Sequence, residues 1–243
     1  MSLDARVISI GCLSANPLWN ERAPTRAGHA TTTLIRVREL AILVDPGPAP
    51  VALEARLRER TNLGPGAVTH VFLTSFRPDT RRGLPLFGHA TWWIGERERE
   101  TVGVPMAQQL ARAHRDGDGE LAAALAAEVA LLQRFVAAPD RLAPGVDLFP
   151  LPGVTPGLCG LLLADGNATT MVCGDAIPTV EHLERGMVLP TAADLDAARE
   201  SFAEAVEVAD ALILGRDNLV LNPLRRFDRL ALGPGGADAG DGP

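Results

Sequence analysis

Short apolar runs, punctuated by turn residues, alternate along this chain with stretches of helical periodicity. Residues 6–10 read as a first strand. A polar stretch rich in turn residues runs from Gly11 to Gly28, with Trp19 its only large anchor. Residues 31–37 and 40–44 are β-rich and separated by Arg38-Glu39, which suits a hairpin. The second run stops at Asp45-Pro46-Gly47, a strong turn signal. Pro50 is placed to open a helix, with Leu53 and Leu57 one turn apart on its buried side. Residues 68–73 form a continuous apolar run, the pattern of a strand covered on both faces. Residues 91–94 predict another strand.

The second half repeats the alternation. In residues 120–136, Leu121, Leu125, Val129, Leu132 and Val136 recur at helical spacing. This helix is read either as one packed on the body of the protein or as an inserted lid or dimerisation helix. Residues 148–151, 161–163 and 170–173 predict strands. Thr191 to Asp194 resembles an acidic capping box that opens a helix to Ala209, with Leu195, Phe202 and Val206 on its apolar face. Residues 211–214 predict a last strand. The elements call for an α/β architecture, one domain over residues 1–232. The tail 233–243 is Gly, Ala, Asp and Pro, too poor in apolar surface to offset its ordering entropy, and is expected to be disordered.

Composition narrows the function classes. A net charge of -7 over 243 residues opposes non-specific binding to nucleic acid or to an anionic membrane. No apolar run approaches the ~18 residues of a transmembrane helix, and Met1 to Ile10 lacks the pattern of a signal peptide. Cys12, Cys159 and Cys173 show no paired spacing, which favours a reducing compartment; a cytoplasmic location is the expectation. Cys159 and Cys173 lie in apolar runs and are expected in the core.

The chemistry concentrates where apolar runs end. Leu43-Val44-Asp45-Pro46-Gly47 is followed by Val71-Phe72-Leu73-Thr74-Ser75-Phe76-Arg77-Pro78-Asp79-Thr80. Then come Leu151-Pro152-Gly153-Val154-Thr155-Pro156-Gly157, Cys173-Gly174-Asp175-Ala176 and Ile213-Leu214-Gly215-Arg216-Asp217-Asn218. In this order and spacing the chain resembles the metallo-β-lactamase-fold hydrolases, particularly their glyoxalase-II-like branch. The resemblance spans about Gly28 to Pro223. It implies a four-layer αβ/βα sandwich with a site at one edge, built by loops from both halves.

The same resemblance implies a dinuclear metal site whose ligands are mostly missing. The first histidine pair of the family falls on Ser75 and Arg77, and the Asp-His pair of the second metal on Asp79 and Thr80. The later loop histidine falls on Val154, the bridging carboxylate on Asp175 and the last histidine on Arg216. Zinc needs imidazole, thiolate or carboxylate donors. Valine has no lone pair to give, and a guanidinium stays cationic and does not ligate. Zinc is therefore not expected. Asp79 and Asp175 remain as residual ligands for one weakly held, oxygen-loving ion at most.

Two buried carboxylates without metal would carry uncompensated charge. Arg77 and Arg216 bring two positive charges to the same place, and their pairing with Asp79 and Asp175 is expected. The reading is a non-catalytic binding or regulatory protein with an Arg/Asp-lined pocket. Its partner would be a protein or an anionic small molecule held by Arg77, Arg81, Arg82 and Arg216. Two alternatives remain open here: a hydrolase acting without zinc or with one ion at Asp79 and Asp175, and a structural subunit paired with an intact homologue. For His29, His70, His89, His114 and His182 a surface or loop role is the default, with the pocket mouth as the alternative for His182. Neither a Gly-x-Ser-x-Gly elbow nor a phosphate-binding Walker loop is present.

Overall fold

A computed structural model describes residues 3–166 and 168–225. The expected tail at 233–243 lies outside them. Among the described residues, twelve strands form two sheets of six. The first holds β1 (Leu3–Ser9), β2 (Thr32–Val37), β3 (Leu40–Val44), β4 (His70–Leu73), β5 (Thr91–Ile94) and β6 (Val136–Ala137), in that order. Pairs β1–β2 and β2–β3 are antiparallel, and β3–β4, β4–β5 and β5–β6 are parallel. The second holds β7 (Arg141–Ala143), β8 (Val146–Pro150), β9 (Cys159–Asp165), β10 (Ala168–Gly174), β11 (Ala211–Leu214) and β12 (Leu219–Leu221). Only β10–β11 is parallel there.

Three apolar clusters of the described residues form the layers. Ile35, Ile42, Val44 and Phe72 of the first sheet meet Val146, Leu161, Val172 and Ile213 of the second. On the outer face of the first sheet, Val71, Leu73, Trp92 and Ile94 pack with Leu53 and Leu57 of α1 (Pro50–Thr61) and Leu132 of α3 (Gly119–Gln133). On the outer face of the second, Met171, Cys173, Leu212 and Leu214 pack with Ala205 and Val206 of α5 (Leu195–Val208). Strands β3, β4 and β10 are apolar on both faces because a sheet covers one side and helices the other. This is the α/β sandwich that the order of elements calls for.

Several elements differ from the sequence reading. A 21-residue helix, α2 (Glu96–Asp116), precedes α3 and was not read from the sequence. Its stretch is dominated by charge, and Gly103 and Pro105 interrupt it, so no apolar stripe announces it. In α3, Leu132 is buried, but Leu121 is 47% exposed, and Val136 lies in β6 beyond the helix. The cap of α5 is Asp194 alone, which accepts from the backbone N–H of Asp196 and Ala197. Leu195 is exposed, and Ala198, Ser201, Ala205 and Val206 form the buried face. Cys159 and Cys173 are buried as expected, and burial pushes the Cys159 thiol up to about 11. No helix among the described residues is long and apolar enough to cross a membrane.

Candidate functional site

The loops after β3, β4, β10 and β11 converge at one edge of the sandwich. Asp45 ends β3 in a left-handed backbone conformation (φ 46°). Its carboxylate accepts from the Thr74 N–H (2.9 Å) and the Thr74 hydroxyl (2.7 Å), which fixes where β4 gives way to its loop. Burial pushes the Asp45 carboxyl up to about 7, against those two hydrogen bonds.

The loop itself is tied down at three points. The Thr80 hydroxyl lies 2.9 Å from the Ser75 carbonyl oxygen and 2.8 Å from that of Arg77, and holds the turn closed. The Asp79 carbonyl oxygen accepts from the Ala30 N–H at 2.9 Å. Glu98, buried in the first turn of α2, accepts from the Phe76 N–H (2.9 Å) and from the Thr155 hydroxyl (2.7 Å). One carboxylate therefore joins the loop after β4 to the loop after β8. Burial raises the Glu98 carboxyl above its ordinary value, against these bonds.

From the second sheet, Gly174 turns β10 toward the site with φ 52°. A Cβ there would sit 2.8 Å from the Thr74 hydroxyl oxygen, so the two halves touch backbone to side chain. Asp175 follows, and Arg216 follows β11. The Arg216 guanidinium forks onto Asp175, with Nε donating to Oδ1 (2.6 Å) and Nη2 to Oδ2 (2.7 Å). Its Nη1 donates to Asp79 Oδ2 at 2.5 Å. Three of the four oxygens of the two carboxylates are thus taken by one arginine. Arg77 lies farther out, its Nε 3.7 Å from Asp79 Oδ1 and 3.8 Å from Asp175 Oδ2. These are ion-pair distances beyond hydrogen-bonding range. Arg216 is only 3% exposed, so its charge is neutralised in place. Burial pushes the Asp175 carboxyl up, but the charge and hydrogen bonds of Arg216, aided by Arg77, outweigh it and hold the carboxyl below its ordinary value. Burial opposes the charge of Arg216, and the two carboxylates overcome it.

The structure brings together Arg77, Asp79, Asp175 and Arg216 as the sequence suggests. The other three candidates play different parts. Thr80 serves the loop backbone. Ser75 is buried with its Oγ unpartnered. Val154 is a core side chain of the second sheet's outer face, where its apolar character is at home. The four-arginine anion cluster also divides. Arg81 pairs with Glu128 of α3 at 2.5 Å and stacks over the Phe76 ring, 4.2 Å to its centroid. Arg82 is exposed. Only Arg77 and Arg216 are shown at the acid pair.

His182 corrects a second expectation. It sits in α4 (Val180–Arg185) and is 1% exposed, not a surface or loop residue. Beside Arg216, a cleft of about 180 Å³ opens between the 11–26 loop and the turn at Thr179 to Glu181. Trp19 lines it and donates its indole N–H to Glu181 at 3.2 Å. Sequence reading missed Asp45 and Glu98 as site-building residues. An acidic residue closing an apolar strand was a signal for the first. Glu98 is one of several alternating charges and gave none.

A metal fits this arrangement poorly. No group of three or more His, Cys, Asp or Glu able to hold an ion occurs among the described residues. The carboxylate oxygens a cation would use face guanidinium nitrogens instead.

The fold has well-matched solved counterparts. A metallo-β-lactamase-type protein of Thermotoga maritima superposes with a TM-score of 0.63 at 18% identity, covering 91% of this chain and 100% of that one. AidC, a dizinc quorum-quenching lactonase, gives 0.63 at 18% identity, covering 90% and 87%. An AiiA variant of B. thuringiensis with N-decanoyl-L-homoserine bound gives 0.55 at 18% identity, covering 85% and 87%. At such identity these likenesses speak to fold alone. A search of curated proteins finds no match. The sequence model of one family matches residues 25–215, a span that takes in Asp45, Arg77, Asp79 and Asp175 and ends one residue before Arg216. By that match, the chain belongs to the metallo-β-lactamase superfamily.

Proposed function

We propose that this chain is a binding or regulatory member of its superfamily, one in which a guanidinium takes the electrostatic place of the metals. The observation that supports the reading is the Arg216 fork on Asp175, extended to Asp79. A hydrolytic dinuclear site uses its cations to generate hydroxide and to polarise a carbonyl. An arginine can do the second in part but not the first, because it neither binds nor acidifies a water as a metal does. The pocket of Arg77, Asp79, Asp175 and Arg216 keeps the position of a catalytic centre and has charge for recognition. Its membership of a glyoxalase-II-like branch rests on the order of the loops.

The alternative of one oxygen-loving ion at Asp79 and Asp175 is disfavoured by the same geometry. Only Asp79 Oδ1 is free of Arg216, and Arg77 faces it. Elemental analysis of the purified full-length chain tests the proposal. Less than about one-tenth of an equivalent of zinc, iron or manganese, with no esterase, thioesterase or lactonase turnover, is expected. A stoichiometric metal, or turnover lost on chelation, would overturn it.

A further inference from the structure

The cleft of about 180 Å³ between the 11–26 loop and the Thr179 to Glu181 turn plays no part in the function proposed above. Asn16, Trp19, Arg26, Glu181, Arg216 and Asp217 line it. Its volume is below the ~300 Å³ at which pockets for drug-sized molecules begin, so it suits a small ligand. The charges on its wall are unequally matched. Arg26 pairs with Glu21 and donates to the Leu13 carbonyl oxygen at 3.0 Å. Arg216 is held by Asp175 and Asp79. Both cations are therefore neutralised by acids that do not line the cleft. Glu181 and Asp217 do line it, and neither has a cation within ion-pair distance among the described residues.

Neutral donors hold the two carboxylates. Glu181 accepts from the Trp19 indole N–H (3.2 Å) and the Thr179 hydroxyl (2.6 Å). Asp217 accepts from the backbone N–H of Val180 (3.2 Å) and of Asn218 (2.8 Å). A carboxylate offers about four lone-pair sites, so each keeps room for another donor. Burial pushes the Glu181 carboxyl up, but hydrogen bonds from Thr179, its own backbone and Trp19 hold it below its ordinary value and keep it ionised. Asn16 has the opposite need. It is 1% exposed, and its Oδ1 caps the short turn Pro17–Trp19 by accepting from the Leu18 N–H at 3.0 Å. That bond fixes which way the amide faces. Nδ2 is left for the cleft, and its two hydrogens have no acceptor among the described residues. A buried donor is costly to leave unpaired.

We propose that this cleft binds a small molecule carrying an ammonium group next to a carbonyl, the ammonium at Glu181 and Asp217 and the carbonyl oxygen at Asn16 Nδ2. Two unmatched carboxylates repel an anion and favour a cation. A neutral amide would satisfy Asn16 and leave both charges unmatched, and a bare alkylammonium would do the reverse. Only a ligand with both groups meets every open bond of the wall. Arg26 lies over the Trp19 ring, 5.3 Å to its centroid, and keeps the indole in place at Glu181. The inference goes beyond the reading of the Arg/Asp pocket and holds whether or not that pocket is occupied.

Titration of the ¹⁵N-labelled full-length chain at pH 7, read at the Trp19 indole N–H, tests the assignment, and Trp19→Phe identifies the signal. Glycinamide is expected to shift it saturably. Ethylammonium and acetamide, each with one half of the pattern, are expected to bind several-fold more weakly, and acetate is expected to give no saturable shift. Glu181→Gln and Asp217→Asn each keep an oxygen acceptor and remove one charge. Each is expected to weaken glycinamide several-fold with the fold intact by circular dichroism. Asn16→Asp keeps the cap on Leu18 and removes the donor. Its added charge favours both ammonium probes alike, so the advantage of glycinamide over ethylammonium is expected to disappear. No saturable shift with glycinamide, the result for a cleft that takes water only, sinks the proposal. So does acetate binding as tightly as glycinamide, or a glycinamide affinity unchanged in both charge variants. An advantage over ethylammonium that survives Asn16→Asp would overturn the carbonyl contact.

Discussion

A single arginine determines how the candidate site is understood, and its role depends on burial as well as identity. Arg216 on the surface would contribute little with its two acids; with 3% exposure its fork on Asp175 and Asp79 fixes three loops relative to one another. Asp45 belongs to the same edge but, among the described residues, has no cation within hydrogen-bonding range, and burial pushes its carboxyl up to about 7. The sign of its effect on stability is set by that rise. Between the ordinary carboxylate value of about 4 and about 7, the folded chain holds a proton at Asp45 that the unfolded chain has released. Stability from this group is therefore fully present below about 4 and is lost as pH rises to about 7. Asp175 runs the other way, contributing above its ordinary value and losing that contribution as pH falls through its depressed one. Asp45→Asn isolates the first effect, because the amide oxygen still accepts from the Thr74 N–H. Urea denaturation at pH 5 and pH 8 is expected to show the wild type losing stability relative to Asp45→Asn at the higher pH. A difference that is constant across the two pH values would contradict the raised carboxyl. Ser75, Arg77, Asp79, Asp175 and Arg216 were legible in the sequence because each stands at a fixed offset from the end of an apolar run. The pairing of the last four followed from charge alone. Asp45 was visible only as part of a turn, and its burial is set by residues about 30 positions away. His182 was misplaced because a histidine in a short, charged helix gives no local sign that another layer covers it.

The strands were readable because their apolar runs are continuous and their turns carry Gly, Pro or Asp; the limits of β3, β5 and β11 agree with the reading. Helix α2 was not, since its buried residues are so few: Glu98 and Ala113 are fully buried in a helix otherwise mostly exposed or half-buried. Its contribution is positional. Glu98 holds the Phe76 N–H and the Thr155 hydroxyl, and Gly157 packs so tightly on its backbone that a Cβ there would fall 2.1 Å from the Glu98 nitrogen. Nearby, α3 reaches the same loop through Glu128 and Arg81. The α2–α3 hairpin thus grips the site loop at two points, which favours the packed reading of α3 over a free lid. Glu98→Ala leaves two buried donors unpartnered and is expected to cost about 2–4 kcal/mol on the scale of lost buried hydrogen bonds. Glu98→Gln retains an acceptor and is expected to cost less than half as much. Hydrogen exchange should quicken at the backbone N–H of Phe76 in Glu98→Ala and stay near wild type in Glu98→Gln. Equal losses in the two variants would mean that the carboxylate fills space without joining the loops.

Across the whole molecule the two sheets are joined by more than their shared apolar layer. At the site edge, the Thr31 N–H donates to the Gly215 carbonyl oxygen (2.8 Å) and the Cys159 N–H to that of Thr74 (3.1 Å). The Thr31 hydroxyl donates to the Asp217 carbonyl oxygen (2.7 Å) and accepts from the Gly11 N–H (2.9 Å). One buried hydroxyl therefore ties the start of β2, the 11–26 loop that carries Trp19 and the loop that carries Arg216. The loop order is written in the sequence, but this seam depends on contacts as far apart as residues 31 and 217, which periodicity cannot report. Thr31→Val keeps the shape of the side chain and removes both hydrogen bonds. The Gly11 N–H and the Asp217 carbonyl oxygen lose their partner together, so destabilisation of about 1–3 kcal/mol is expected, read from the midpoint of urea denaturation at unchanged slope. The change should be spatially selective. Exchange should quicken at Gly11 and in the loop after β11, while β4 and β10, held by the central apolar layer, keep their protection. If exchange instead quickened evenly over both sheets, Thr31 would be supporting the core as a whole rather than coupling the Trp19 loop to the Arg216 loop.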